Sequence, residues 1–74
     1  VLLSPALAQA APAAPATVAA CEQIVHDAGY PVGEFTAAAC GAGATGDMGV
    51  CLGILMNRQV DGDLAWKACL AAST

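Results

Sequence analysis

The chain has 74 residues, 58% of them hydrophobic, and a net charge of −4 at pH 7. That length holds one domain at most. With only Arg58 and Lys67 as bases it cannot neutralise a run of phosphates, which excludes nucleic-acid binding and disfavours cationic attack on anionic membranes.

Residues 1–10, VLLSPALAQA, read as the C-terminal part of a secretory signal peptide: an apolar run with a proline, then small residues at Ala8 and Ala10. The run is too short for a transmembrane span. Residues 11–20, APAAPATVAA, carry no charge, and Pro12 and Pro15 oppose a helix, so a disordered spacer is expected there. Val18-Ala19-Ala20-Cys21 loosely resembles a bacterial lipobox, which would place a lipid on Cys21. The absence of a strong apolar core just upstream speaks against that use. The folded domain is then expected at 21–74.

Within it, apolar residues at 21, 24, 25 and 28 have helical spacing, with Glu22, Gln23, His26 and Asp27 on the other side. Gly29 and Tyr30-Pro31 end that helix. A second helix follows, with Val32, Phe35, Ala39 and Ala42 on one face and Glu34 near its start, where the helix dipole favours an acid. Gly41, Gly43 and Gly46 make 41–46 the loosest stretch of the domain, and a link between two hairpins is expected there.

Asp47 is a good N-cap for a third helix, on which Met48, Cys51, Leu52 and Leu55 share a face. Val50, Ile54 and Met56 spread apolar character around it, more than four short helices can cover. Asn57 to Val60 ends this helix and Asp61 caps a fourth. There Leu64, Ala68 and Ala71 or Ala72 can face the core, and Trp66, Cys69 and Leu70 form an adjoining stripe.

The four cysteines divide the domain into two loops of nearly equal length, Cys21 to Cys40 and Cys51 to Cys69. Overlaid, the loops match Ile24 with Ile54, Val25 with Leu55, Gly33-Glu34-Phe35 with Gly62-Asp63-Leu64, and Ala39-Cys40 with Ala68-Cys69. The expected fold is therefore all-α: a small disulfide-stapled bundle of four short helices made of two repeated αα-hairpins, 21–42 and 47–72. Four cysteines allow three pairings. The hairpin geometry favours Cys21–Cys40 and Cys51–Cys69, each closing the open end of its hairpin; Cys21–Cys69 with Cys40–Cys51 would instead tie the hairpins together. A bridge over a loop of about twenty residues contributes roughly 3 kcal/mol on the chain-entropy model, a large share for so small a domain. No C-x2-C pair suggests zinc or thiol redox chemistry.

No catalytic set emerges. His26 is the only histidine, and Asp27 beside it does not share its helix face. Asp61-Gly62-Asp63 lacks the rest of a calcium loop, and the glycine-rich 41–46 lacks the Lys-Ser/Thr of a phosphate loop. Catalytic, cofactor-binding and metal-ligating residues are expected to be none. What remains is surface: Tyr30, Val50, Ile54, Met56 and Trp66 form the candidate interaction surface. The expectation is a secreted, non-enzymatic module that binds another protein, as an inhibitor, an effector or toxin component, or a surface-assembly subunit, with self-association as a further mode. The alternative is a small carrier of a lipid or other apolar ligand.

Overall fold

The computed structural model describes residues 16–74. Four helices fill this stretch: α1 (Ala16–Asp27), α2 (Glu34–Ala44), α3 (Met48–Asn57) and α4 (Gly62–Ser73), with no strand among the described residues. The all-α, disulfide-stapled bundle is the architecture found. The expected leader at 1–10 and the first part of the spacer, 11–15, lie outside the described residues. The last part of the spacer differs from expectation, because residues 16–20 are helical and Val18 is buried. After Pro15 no residue opposes a helix, alanine has the highest helix propensity, and Val18 stands at i−3 from Cys21 and i−7 from Val25. The apolar stripe of α1 thus begins one turn earlier than the cysteine suggests.

Three helices end with the same device. Gly29, Gly46 and Gln59 take positive φ values of 95°, 91° and 70°. The next amide in each case reaches back across the last turn: Tyr30 N–H donates to the Val25 carbonyl at 3.3 Å, Asp47 N–H to Ala42 at 2.9 Å, and Val60 N–H to Leu55 at 3.1 Å. These are Schellman-type closures, and glycine is the residue that enters the left-handed region without strain. Asp47 and Asp61 act as the expected caps. The Asp47 carboxylate accepts from Val50 N–H at 3.2 Å, and that of Asp61 accepts from Asp63 and Leu64 N–H at 3.2 and 3.3 Å. The link between α2 and α3 is shorter than expected. Gly41 and Gly43 are helical, and only Thr45 to Asp47 lie between the helices.

Packing within the bundle does not stop at sequence neighbours. The broadest interfaces are α1 against α4 and α2 against α3, with α2 also touching α4, while the backbones of α1 and α3 do not approach. Helices α2 and α4 are therefore the central pair. Their buried positions correspond: Thr36, Ala39, Cys40 and Gly43 on α2 stand as Ala65, Ala68, Cys69 and Ala72 do on α4. The inward face of α2 is thus rotated from the expected one, and Val32 and Phe35 are 40% and 47% exposed. The reason is steric. A helix touching three others has room inward only for small side chains, so the valine and the phenyl ring turn out. On α3 the expected face holds: Cys51 and Leu55 are buried, and Met48 and Leu52 pack against them.

The bridges are Cys21–Cys40 and Cys51–Cys69, with Cα separations of 5.7 and 6.0 Å, and none of the four cysteines is exposed. The pairing is the favoured one, but its placement differs. Cys21 lies five residues inside α1, and Cys40 and Cys69 have a turn of helix after them, so each bridge crosses helix bodies rather than an open end. Leu55 and Val25 are the largest other fully buried side chains, so alanine and cystine supply most of the interior.

Candidate functional site

The turn after α1 and the turn after α3 lie on one side of the molecule. Tyr30 follows the first Schellman closure and Val60 the third. The Tyr30 hydroxyl accepts a hydrogen bond from the Asp61 backbone N–H at 3.2 Å, tying the α1–α2 turn to the start of α4. Between that turn and the end of α3 opens a cleft of about 410 Å³. Its apolar walls are Tyr30, Phe35, Leu55 and Val60, and its polar groups come from Thr36, Asn57, Arg58 and Gln59. The Thr36 hydroxyl is already engaged, donating to the Pro31 carbonyl at 3.4 Å.

Arg58 gives this cleft its character. It follows the last residue of α3, and its guanidinium carbon lies 3.7 Å from the centroid of the Phe35 ring. A cation over a ring face is attracted by the ring quadrupole, which fixes a long side chain that would otherwise wander. Among the described residues, no carboxylate lies within ion-pair distance of it. By periodicity Phe35 falls on the expected core face of α2, and Arg58 belongs to no motif. The available signal was their position, one at the start of α2 and the other just after α3, in a chain with few aromatics and few cations.

The five surface candidates are spread over the α1–α2 turn, α3 and α4. Tyr30 is half-buried and belongs to the cleft. Ile54 is half-buried against the core, while Val50 and Met56 are 46% and 51% exposed on α3. Trp66 is 49% exposed on α4, and Leu70, one turn further along the same helix, is 48% exposed. The Met56 side chain reaches the start of α4, 3.8 Å from where a β-carbon on Gly62 would stand.

His26 is a surface residue. Its Nδ1 stands 3.6 Å from Asp27 Oδ1, closer than successive helix positions suggest, and both side chains are about two-thirds exposed. The same Asp27 oxygen accepts from Gln23 Nε2 at 2.7 Å, one helical turn back. A second, shallower hollow of about 300 Å³ lies beside His26, lined by Ala19, Glu22, Gln23 and Val32. Among the described residues, no three His, Cys, Asp or Glu side chains come together as a metal site. No described helix is long and apolar enough to cross a membrane. Two disulfides in so small a domain are consistent with an extracellular location.

Compared with protein-family models, curated proteins and solved structures, the chain matches none.

Proposed function

We propose that this is a secreted, disulfide-stapled helical module that binds another protein through the outer faces of α3 and α4. The observation behind this reading is the pair Trp66 and Leu70. They lie at i and i+4 on α4, half-exposed, in a domain whose interior is filled mainly by alanine and cystine. Tryptophan is among the residues most enriched at binding hot spots. A chain so poor in large side chains would gain from burying one, yet this one stays at the surface. Val50 and Met56 on α3 add apolar area outside the core. The acidic balance suits a protein partner with a basic rim around an apolar centre. An inhibitor, an effector or toxin component and a surface-assembly subunit all use such a face.

The test is capture from the producer's culture medium with the oxidised chain as bait, repeated with the double variant W66A/L70A. A partner captured by the parent and lost with the variant supports the reading, provided circular dichroism shows the variant folded. Capture that survives the double substitution places the partner elsewhere. Sedimentation velocity over a concentration range separates self-association, which would make the partner a second copy.

A further inference from the structure

We propose that the cleft between the α1–α2 turn and the end of α3 binds a small amphipathic carboxylate, with its acid group on Arg58 and its apolar tail along Tyr30 and Phe35, over the floor closed by Leu55 and Val60. This goes beyond the partner face on α3 and α4 and does not depend on it.

Size and lining come first. A cleft of about 410 Å³ lies within the range of small-molecule sites, and apolar walls with a few polar groups are their usual make-up. Charge then selects the head group. The chain holds six acidic residues, yet none of them lines this cleft. The charged group there is Arg58, which lies over Phe35 with no carboxylate in ion-pair range among the described residues. The ring holds the guanidinium through its face, and the N–H donors of the fork match a carboxylate. Of the neutral groups, the Thr36 hydroxyl donates to the Pro31 carbonyl, the Tyr30 hydroxyl accepts from Asp61 N–H and keeps its own O–H, and Asn57 and Gln59 offer amides, so Arg58 is the charged anchor of the cleft. One cation in a chain of net charge −4 suits a singly charged head better than a phosphate, which would draw on several bases. The tail follows from the walls. Tyr30 and Phe35 carry the exposed apolar surface of the walls, above a floor closed by the buried Leu55 and Val60, and that surface releases its water to an apolar group.

The experiment titrates sodium octanoate, below its micelle concentration, into the oxidised ¹⁵N-labelled full chain, with 1-octanol as the uncharged match. Saturable one-site amide shifts at residues 30–36 and 55–60 are expected, with octanol about ten-fold weaker or more, as for a lost charge-assisted hydrogen bond. Arg58→Gln brings octanoate down to the affinity of octanol. Phe35→Leu keeps an apolar wall but removes the ring beneath the guanidinium, and weakens octanoate more than octanol. Lys67→Gln, which removes the other base from a position outside the cleft, leaves both affinities unchanged. Unaltered amide positions away from the cleft confirm that each variant is folded. The proposal is overturned by absent or non-saturating shifts at these amides, by equal affinity for acid and alcohol, or by octanoate binding that Arg58→Gln leaves intact.

Discussion

A β-carbon built on Gly43 would stand 2.9 Å from the Cβ of Ala72, so α2 and α4 meet with no side chain between them. The same β-carbon would be 3.2 Å from Cys51 Sγ and 3.4 Å from the Cys69 carbonyl oxygen. Helix crossing, disulfide and glycine thus form one contact. Gly43→Ala should be destabilising by up to about 2 kcal/mol, because overpacking of roughly 1–3 kcal/mol outweighs a gain of about 1 kcal/mol in helix propensity. Gly41 lies on the same helix with open space around it, so Gly41→Ala should be stabilising by up to about 1 kcal/mol. The two variants should move apart in urea midpoint and in Tm, where each 1 kcal/mol is about 4–8 °C for a domain of this size. Equal midpoints would mean that α2 and α4 do not touch at Gly43.

The disulfides decide whether the domain folds. A chain of this length is stabilised in total by roughly 0.05–0.15 kcal/mol per residue, and each bridge contributes about 3 kcal/mol on the chain-entropy model. The loops they close span 19 and 18 residues, so C21A/C40A and C51A/C69A should lose nearly the same amount. Either double variant should melt far below the parent, and removing all four cysteines should leave little helical circular dichroism. Alkylation before reduction should leave the intact mass unchanged. Modified thiols at that step would refute both the bridges and the oxidising compartment.

The hydrogen bond from Asp61 N–H to the Tyr30 hydroxyl joins residues 31 positions apart. It is exposed, so Tyr30→Phe should cost no more than about 0.5–1 kcal/mol, the lower part of the range for a hydrogen bond. Asp61→Ala removes a carboxylate that caps two amides and should cost about 1–2 kcal/mol, while Asp47→Ala, capping one, should cost about 1 kcal/mol. Denaturant midpoints rank the three. A Tyr30→Phe loss as large as that of Asp61→Ala would mean the ring hydroxyl supports more than this one amide.

Several of these features could be read from the sequence because they are local. Asp47 and Asp61 cap helices through bonds two or three residues long, and Gly29 marks a helix end through its own backbone, whereas of the three glycines at 41–46 only Gly46 lies outside a helix. The cysteine spacing also pointed to the right pairing. The orientation of α2 could not be read in this way. Periodicity reads Val32, Phe35, Ala39 and Ala42 as the inward face. Close approach of α4 instead turns Thr36, Ala39, Cys40 and Gly43 inward, because only small groups fit there. The cleft depended on that choice. With Phe35 turned outward it meets Arg58, and neither residue shows this in its own neighbourhood. The start of α1 was hidden for another reason: two prolines just before Ala16 gave the alanine run the look of a spacer, although nothing after Pro15 prevents a helix.

Trp66 offers the most direct check on the proposed partner face. Periodicity alone fits it to a core stripe with Cys69 and Leu70, whereas it is 49% exposed. In dilute solution its fluorescence should peak near the wavelength of indole in water and be quenched efficiently by acrylamide. Trp66→Ala and Leu70→Ala should each cost no more than about 1–2 kcal/mol, because about half of each side chain is already in water. Truncating a core tryptophan instead costs about 3–5 kcal/mol. Binding of a partner on this face should shift the emission to the blue and protect it from acrylamide. A blue, protected Trp66 in the dilute monomer, or a loss of several kcal/mol in Trp66→Ala, would return the residue to the core and remove the main support for an interface on α4.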